Sequence, residues 1–105
     1  MINLATIVGK LNNKEERETK NGKKLYITVA VPRSYKNGDG IYETDYIDCI
    51  LFQQLAEKTD EYCKTGDVIA VKGRLEKSKE DDSMVLVAEK VSFLSSKKGA
   101  ENEKI

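Results

Sequence analysis

The clearest pattern in the chain is a period of two between Leu25 and Val31. Leu25, Ile27, Val29 and Val31 alternate there with Tyr26, Thr28 and Ala30. Successive side chains of an extended chain point to opposite faces, so this spacing predicts a strand with one apolar side. Pro32, the only proline, is expected to end it, because it has no N–H for a ladder. A second alternating run, Thr44 to Phe52, sets Ile47, Cys49 and Leu51 on one face and Tyr46, Asp48, Ile50 and Phe52 on the other. Ile2 to Leu11 reads as a first strand, with a bulge or bend expected at Gly9. The polar run Asn12 to Lys20 has no apolar anchor and reads as a connector or a weak edge strand. Asn21-Gly22 is a strong turn signal, and Lys36-Asn37-Gly38-Asp39-Gly40 forms a flexible hairpin tip.

After Phe52 the period changes. Gln53 to Lys64 holds good helix formers, with Leu55, Ala56, Thr59, Tyr62 and Cys63 on one stripe expected to face the core. Gly66 suits the left-handed position that ends a helix. Two more strands are expected at Asp67 to Glu76 and Met84 to Phe93, joined by the charged turn Lys77 to Ser83. Three strands, a helix and two strands suit an all-β, five-stranded Greek-key barrel in which the helix plugs the gap between strands three and four. An α+β sandwich fits the same pattern. Residues 1–94 are expected to form the folded domain. The polar stretch 95–105 has too little apolar surface to order itself and is expected to be a disordered tail.

Composition narrows the picture without naming a partner. A chain of 105 residues is one domain, and the 39% hydrophobic share suffices for one core. Eighteen basic and eighteen acidic residues cancel, so overall charge does not argue for a polyanion. The first forty residues carry eight Lys/Arg against four Asp/Glu, leaving a mildly basic first half. Cys49 and Cys63 are far apart and there is no His, so a zinc site lacks its four closely spaced ligands. Buried thiols in a reducing cytoplasm are the plain reading. No secretory signal or membrane-spanning run of about 18 apolar residues is present. Without His or a paired acidic cluster, general acid–base chemistry has few candidates, and no catalytic residue, metal or cofactor is expected.

Several stretches taken in order carry a resemblance. They are INLATIVGKL, NGKKLYITVAV with PRSY, TDYIDCILFQQLAEKTDEYCKTGDVIAVKGRLE and MVLVAEKVSFL. In this order and spacing, from Met1 to about Ser95, the chain resembles the bacterial and phage single-stranded DNA-binding proteins, or SSB. The resemblance implies an OB-fold, a homotetramer (a dimer being possible) that coats single-stranded DNA in replication, recombination and repair, and a cytoplasmic place at the nucleoid. It also implies that stacking aromatics lie after the second strand and at the head and end of the third, which are Tyr35, Tyr46 and Phe52.

Those residue types fit the task. Stacking a base on an aromatic ring is worth about 1–3 kcal/mol whichever base it is. Tyr46 and Phe52 are an even number of residues apart, so they share a face and stand roughly 20 Å apart at strand rise. Packing under a loop or at a subunit contact is the competing role for both. Tyr35 stands between Arg33 and Lys36 and could be an ordinary turn residue. Tyr26 and Tyr62 read as packing or strand-surface residues, and Tyr42 fits either role. Candidate phosphate contacts are Lys10, Arg33, Lys36, Lys72, Arg74, Lys77 and Lys79, all on strand ends and hairpins.

Three features depart from the family. Asp48 puts a carboxylate between the stacking residues, and Glu80, Asp81 and Asp82 make the last hairpin tip acidic where some members carry an aromatic. The chain also ends AENEKI, without a long linker and acidic tip, so recruitment of replication or repair enzymes through such a tail is not expected. A short, dimeric replication-restart protein is one rival reading; an OB-fold interaction module without DNA binding is another.

Overall fold

The computed structural model describes residues 1–20, 22–79 and 81–95, so the expected tail lies outside the described residues except for Ser95. The described elements are β1 (Ala5–Thr19), β2 (Gly22–Lys36), β3 (Tyr42–Phe52), α1 (Gln53–Tyr62), β4 (Val68–Lys77) and β5 (Met84–Ser95). The strands close into a barrel in the order β1-β2-β3-β5-β4, with β4 returning to β1. Every ladder is antiparallel except the short β3–β5 contact, where Cys49 faces Leu86 and Ile50 faces Val87. The expected five-stranded Greek-key barrel with its helix between β3 and β4 is therefore what the chain forms.

Closure depends on β1, which serves two partners. Ala5–Lys10 pairs with β4 and Lys10–Thr19 with β2, with a register shift between Leu11 and Asn13. The irregularity is thus at Asn12 and not at Gly9, which stays in register opposite Ile69. Gly9 is needed for a different reason: a Cβ there would run into the carbonyl of Ala30. Ile2 and Leu4 precede the strand, and Asn3 tethers this leader by exchanging hydrogen bonds with the Leu75 backbone (2.8 and 2.9 Å).

Two boundaries differ from expectation. Pro32 does not end β2, which runs on to Lys36 through a second register shift. Past Ala30, β2 has lost its β1 partner and is paired on one side only, where a missing N–H costs little. Gly66 does adopt positive φ (+100°), but in the turn into β4, where its N–H donates to the Leu11 carbonyl at 2.8 Å. The helix itself stops at Tyr62, and an extended Cys63 caps it by donating to the Thr59 carbonyl.

The inward faces of the strands supply Leu11, Leu25, Ile27, Val29, Cys49, Leu51, Ile69, Val71 and Leu86, all almost fully buried. Ala56, Thr59 and Cys63 close the barrel end from the helix side. Tyr62 is not part of that stripe. It lies about 100° around the helix from Cys63, stays 63% exposed, and sets its ring against Phe93 at 6.5 Å.

The polar segment after Asn12 is strand because charge anchors it where apolar side chains do not. Lys14 Nζ donates to the carbonyls of Asp60 and Cys63 (2.9 and 3.0 Å), capping a helix that has no basic residue in its own last turn. Asp60 pairs with Lys14 at 3.1 Å and Lys23 at 3.0 Å, and Lys23 also reaches Glu16. Hydrogen bonds from Lys23 and then Lys14 pull the Asp60 carboxyl down to about 2. A depressed folded-state value stabilises the fold above the ordinary carboxylate range, and that stabilisation is lost as pH falls through the lowered value. Asp60→Asn is therefore expected to cost about 1–2 kcal/mol near neutral pH. The gap between variant and parent urea midpoints should close as pH falls toward about 2. An equal gap in acid and at neutrality would show that the ion pairs are not its source.

Candidate nucleic-acid interface

The outward faces of β1, β2 and β3 combine into a regular surface because the ladders are in phase. Reading across β1, β2 and β3, the rows are Lys10–Ala30–Tyr46, Asn13–Thr28–Asp48, Glu15–Tyr26–Ile50 and Arg17–Lys24–Phe52. The last three rows form the floor of a groove of about 630 Å³. One wall is the β4–β5 turn, through Lys77, Ser78, Lys79, Asp81 and Ser83; Val85 and Val87 of β5 complete it.

Within the groove, aromatic rings and cations are interleaved. The Arg17 guanidinium lies 4.5 Å from the centre of the Tyr26 ring. Lys24 Nζ bridges two rings, 5.4 Å from Tyr26 and 5.2 Å from Phe52. The attraction between a cation and a ring face holds both in place without consuming the cation's charge. Phe52 is 45% exposed although it is a large apolar side chain, and no core position lies on its side of β3. A second aromatic group lies toward the β2–β3 hairpin, where Tyr35, Tyr42 and Tyr46 are all more than half exposed and Lys36 Nζ lies 5.7 Å from the Tyr42 ring.

A closed five-stranded barrel with this face agrees with what comparison finds. The model of the "Single-strand binding protein family" matches residues 2–94. The chain belongs to that family. Single-stranded DNA-binding protein B of Bacillus subtilis (strain 168) is 38% identical over 78 residues, 72% of this chain and 69% of that protein. Single-stranded DNA-binding protein 3 of Listeria innocua is 36% identical over 106 residues, 92% of this chain and 66% of its own length. The chain thus spans about two thirds of the length of these relatives. A small single-stranded DNA-binding protein from Streptomyces coelicolor superposes with a TM-score of 0.73 at 20% identity, over 90% of this chain and 95% of that one, which identifies the barrel as an OB-fold.

In this member of the single-strand binding family the anticipated site residues divide into three groups. Phe52, Lys77 and Lys79 line the groove. Tyr46 continues its floor, in one row with Lys10, and Tyr35 and Lys36 lie at the end of β2 beyond the second register shift. Lys72 is elsewhere, on the outward face of β4 between Thr6 of β1 and Lys90 of β5. Arg74 is also outside the groove lining. Both arginines are already engaged. Arg33 makes a two-pronged bond to Asp45 (3.0 Å on each side) and reaches Glu43 at 3.2 Å, while Arg74 holds Glu76 at 2.6 Å and Glu89 at 3.3 Å. The bond from Arg33 lowers the Asp45 carboxyl, as expected for a carboxylate kept charged by a guanidinium. A phosphate would have to compete with two carboxylates for each arginine.

Three groove residues were not among the anticipated contacts: Tyr26, Lys24 and Arg17. Tyr26 was legible, since it falls out of phase with Leu25 and Ile27 and must face outward. Arg17 was not, because only the bulge at Asn12 turns it toward Tyr26.

Burial pushes the Cys49 thiol up to about 12 and the Cys63 thiol up to about 11, so neither is a ready nucleophile. Among the described residues no three His, Cys, Asp or Glu side chains converge on a metal position. No helix among them is long and apolar enough to cross a membrane.

Proposed function

We propose that this chain binds single-stranded DNA, as the names of its relatives say of them, and covers exposed strands during replication, recombination and repair without catalysing a reaction. The observation that carries the reading is the interleaving of rings and cations along one outward face. Bases of any sequence offer a π-face to Tyr26, Phe52 and Tyr46, while Lys10, Lys24, Lys77 and Lys79 stand beside them for the phosphates. None of these four lysines has a carboxylate closer than 3.9 Å among the described residues, unlike Arg33 and Arg74.

That contrast makes the number of phosphate contacts a measurable quantity. Each neutralised phosphate on a single strand contributes about 0.7 to the log–log salt slope, so contacts from Lys10, Lys24, Lys77 and Lys79 give a slope of about −3, against about −5 if all seven anticipated cations took part. Fluorescence anisotropy of a labelled dT oligomer across a salt series reads the slope. A flat response would remove the phosphate contacts. Failure to saturate at micromolar protein in low salt would overturn the reading and leave a protein-interaction module.

We further read the working form as a homotetramer. Ile2, Leu4 and Val8 leave apolar surface uncovered around the start of β1, which a second copy would bury. Solution mass measured with and without the oligomer tests this, and a dimer of modest affinity would favour the replication-restart alternative.

A further inference from the structure

We propose that Asp48 makes the groove discriminate among bases, favouring those with an amino group on the pairing edge and disfavouring thymine. The inference rests on the single-strand binding reading above.

Asp48 lies at the middle of the aromatic face. Its row falls between the row of Tyr26 and the row of Tyr46. Its cross-strand diagonal neighbour is Tyr26, at a typical separation of about 7–8 Å that an aromatic side chain can span. Tyr46 is two residues away along β3 on the same face, about 6.6 Å at strand rise. A base resting on either ring therefore turns one edge toward the carboxylate.

The carboxylate is held and available. Thr28 Oγ1 donates to Asp48 Oδ1 at 3.1 Å, which orients the group. Among the described residues no Lys or Arg comes within ion-pair distance of it, in contrast to Asp45, Asp60 and Glu76. It is exposed in the groove floor, and Oδ2 accepts no hydrogen bond from a described residue.

An ionised carboxylate can only accept hydrogen bonds. Cytosine presents the N4 amino group, the established partner of Asp and Glu in base recognition. Thymine presents O4 at the equivalent position. Its one donor, N3–H, lies between two carbonyl oxygens, so two lone-pair clashes flank any bond it makes. Both pyrimidines offer a single six-membered ring to the aromatic floor, so they differ most in the edge they turn to the carboxylate. A charge-assisted bond gained on one side and a repulsion on the other give a preference of about fivefold or more for oligo-dC over oligo-dT.

The test is an anisotropy titration of labelled dC and dT oligomers of equal length at mildly alkaline pH, where cytosine tracts stay unfolded. The unaltered protein is expected to bind dC at least about fivefold more tightly. Asp48→Asn, of the same shape but without the charge, should bring the two affinities close together, mainly by tightening dT. Thr28→Val keeps the carboxylate but removes its orienting bond, and should give an intermediate ratio even if the Asn variant folds poorly. Equal affinities in the unaltered protein, a preference for dT, or a dC preference that survives in Asp48→Asn would each overturn the role of Asp48 while leaving single-strand binding intact. Binding of neither oligomer by the unaltered protein would instead overturn the functional reading and this inference with it.

Discussion

Replacing Tyr26 and Phe52 together with alanine is expected to weaken binding of a single-stranded oligonucleotide by about a hundredfold or more, with the barrel still folded. Each base that loses its ring loses about 1–3 kcal/mol, and the two rings sit on adjacent rows of the groove floor, where they serve neighbouring positions of one strand. The lysine between them, Lys24, would also lose the two faces that hold it over the groove. Folding should survive because both residues point outward. The core on the opposite face of β2 and β3 is Leu25, Ile27, Cys49 and Leu51, which are untouched. The hairpin group gives the comparison. Tyr35→Ala with Tyr46→Ala should weaken a long oligonucleotide more than a short one, because those rings lie beyond the groove and need a longer strand to reach them. A groove double variant with native circular dichroism and undiminished affinity would mean that the bases rest elsewhere.

Gly73→Ala is expected to destabilise the domain by about 3 kcal/mol, lowering its melting temperature by on the order of 12–24 °C. The site is the register shift between Lys72 and Gly73 on β4, where the neighbouring β5 backbone comes unusually close. A Cβ would fall on the carbonyl of Val87, and Ala88 Cα lies 3.1 Å from the same point. Those obstacles are main chain, so no rotamer change relieves them; the β4–β5 ladder itself would have to part. Alanine at Gly38 is the control, since nothing lies within 4 Å of a Cβ built there. Melting temperatures of Gly73→Ala and Gly38→Ala within a few degrees of each other would show that β4 and β5 separate easily and that the close approach has no energetic weight.

The charge pattern explains why a neutral chain carries a candidate polyanion site. Acidic residues are not spread evenly: many are committed to cations that would otherwise face solvent. Arg33 and Arg74 are each held by two carboxylates, and Asp60 gathers Lys14 and Lys23 onto the helix. The groove lysines Lys24 and Lys79 are not drawn into these close pairs and stand on the same face as the rings. Net charge, a sum over the whole surface, cannot register this segregation.

The amino-acid sequence by itself determined the strands whose two faces differ in polarity. Leu25 to Val31 and Ile47 to Leu51 announce their inward sides, and parity alone places Tyr46 and Phe52 together on the outward one. It also set the helix after Phe52 and the order of elements from which a closed barrel follows. Only the tertiary structure decided what the polar segment after Asn12 becomes. Its stability comes from Lys14, which lies 46 residues from Asp60, and no local pattern encodes a contact made across that separation. The same holds for Arg17 over Tyr26 and for the carboxylates that engage Arg33 and Arg74. Hydrophobic periodicity reports which face is dry, because burial acts on every residue of a strand alike. The pairing of one charge with another depends on register and bulges, which are fixed only when the barrel closes.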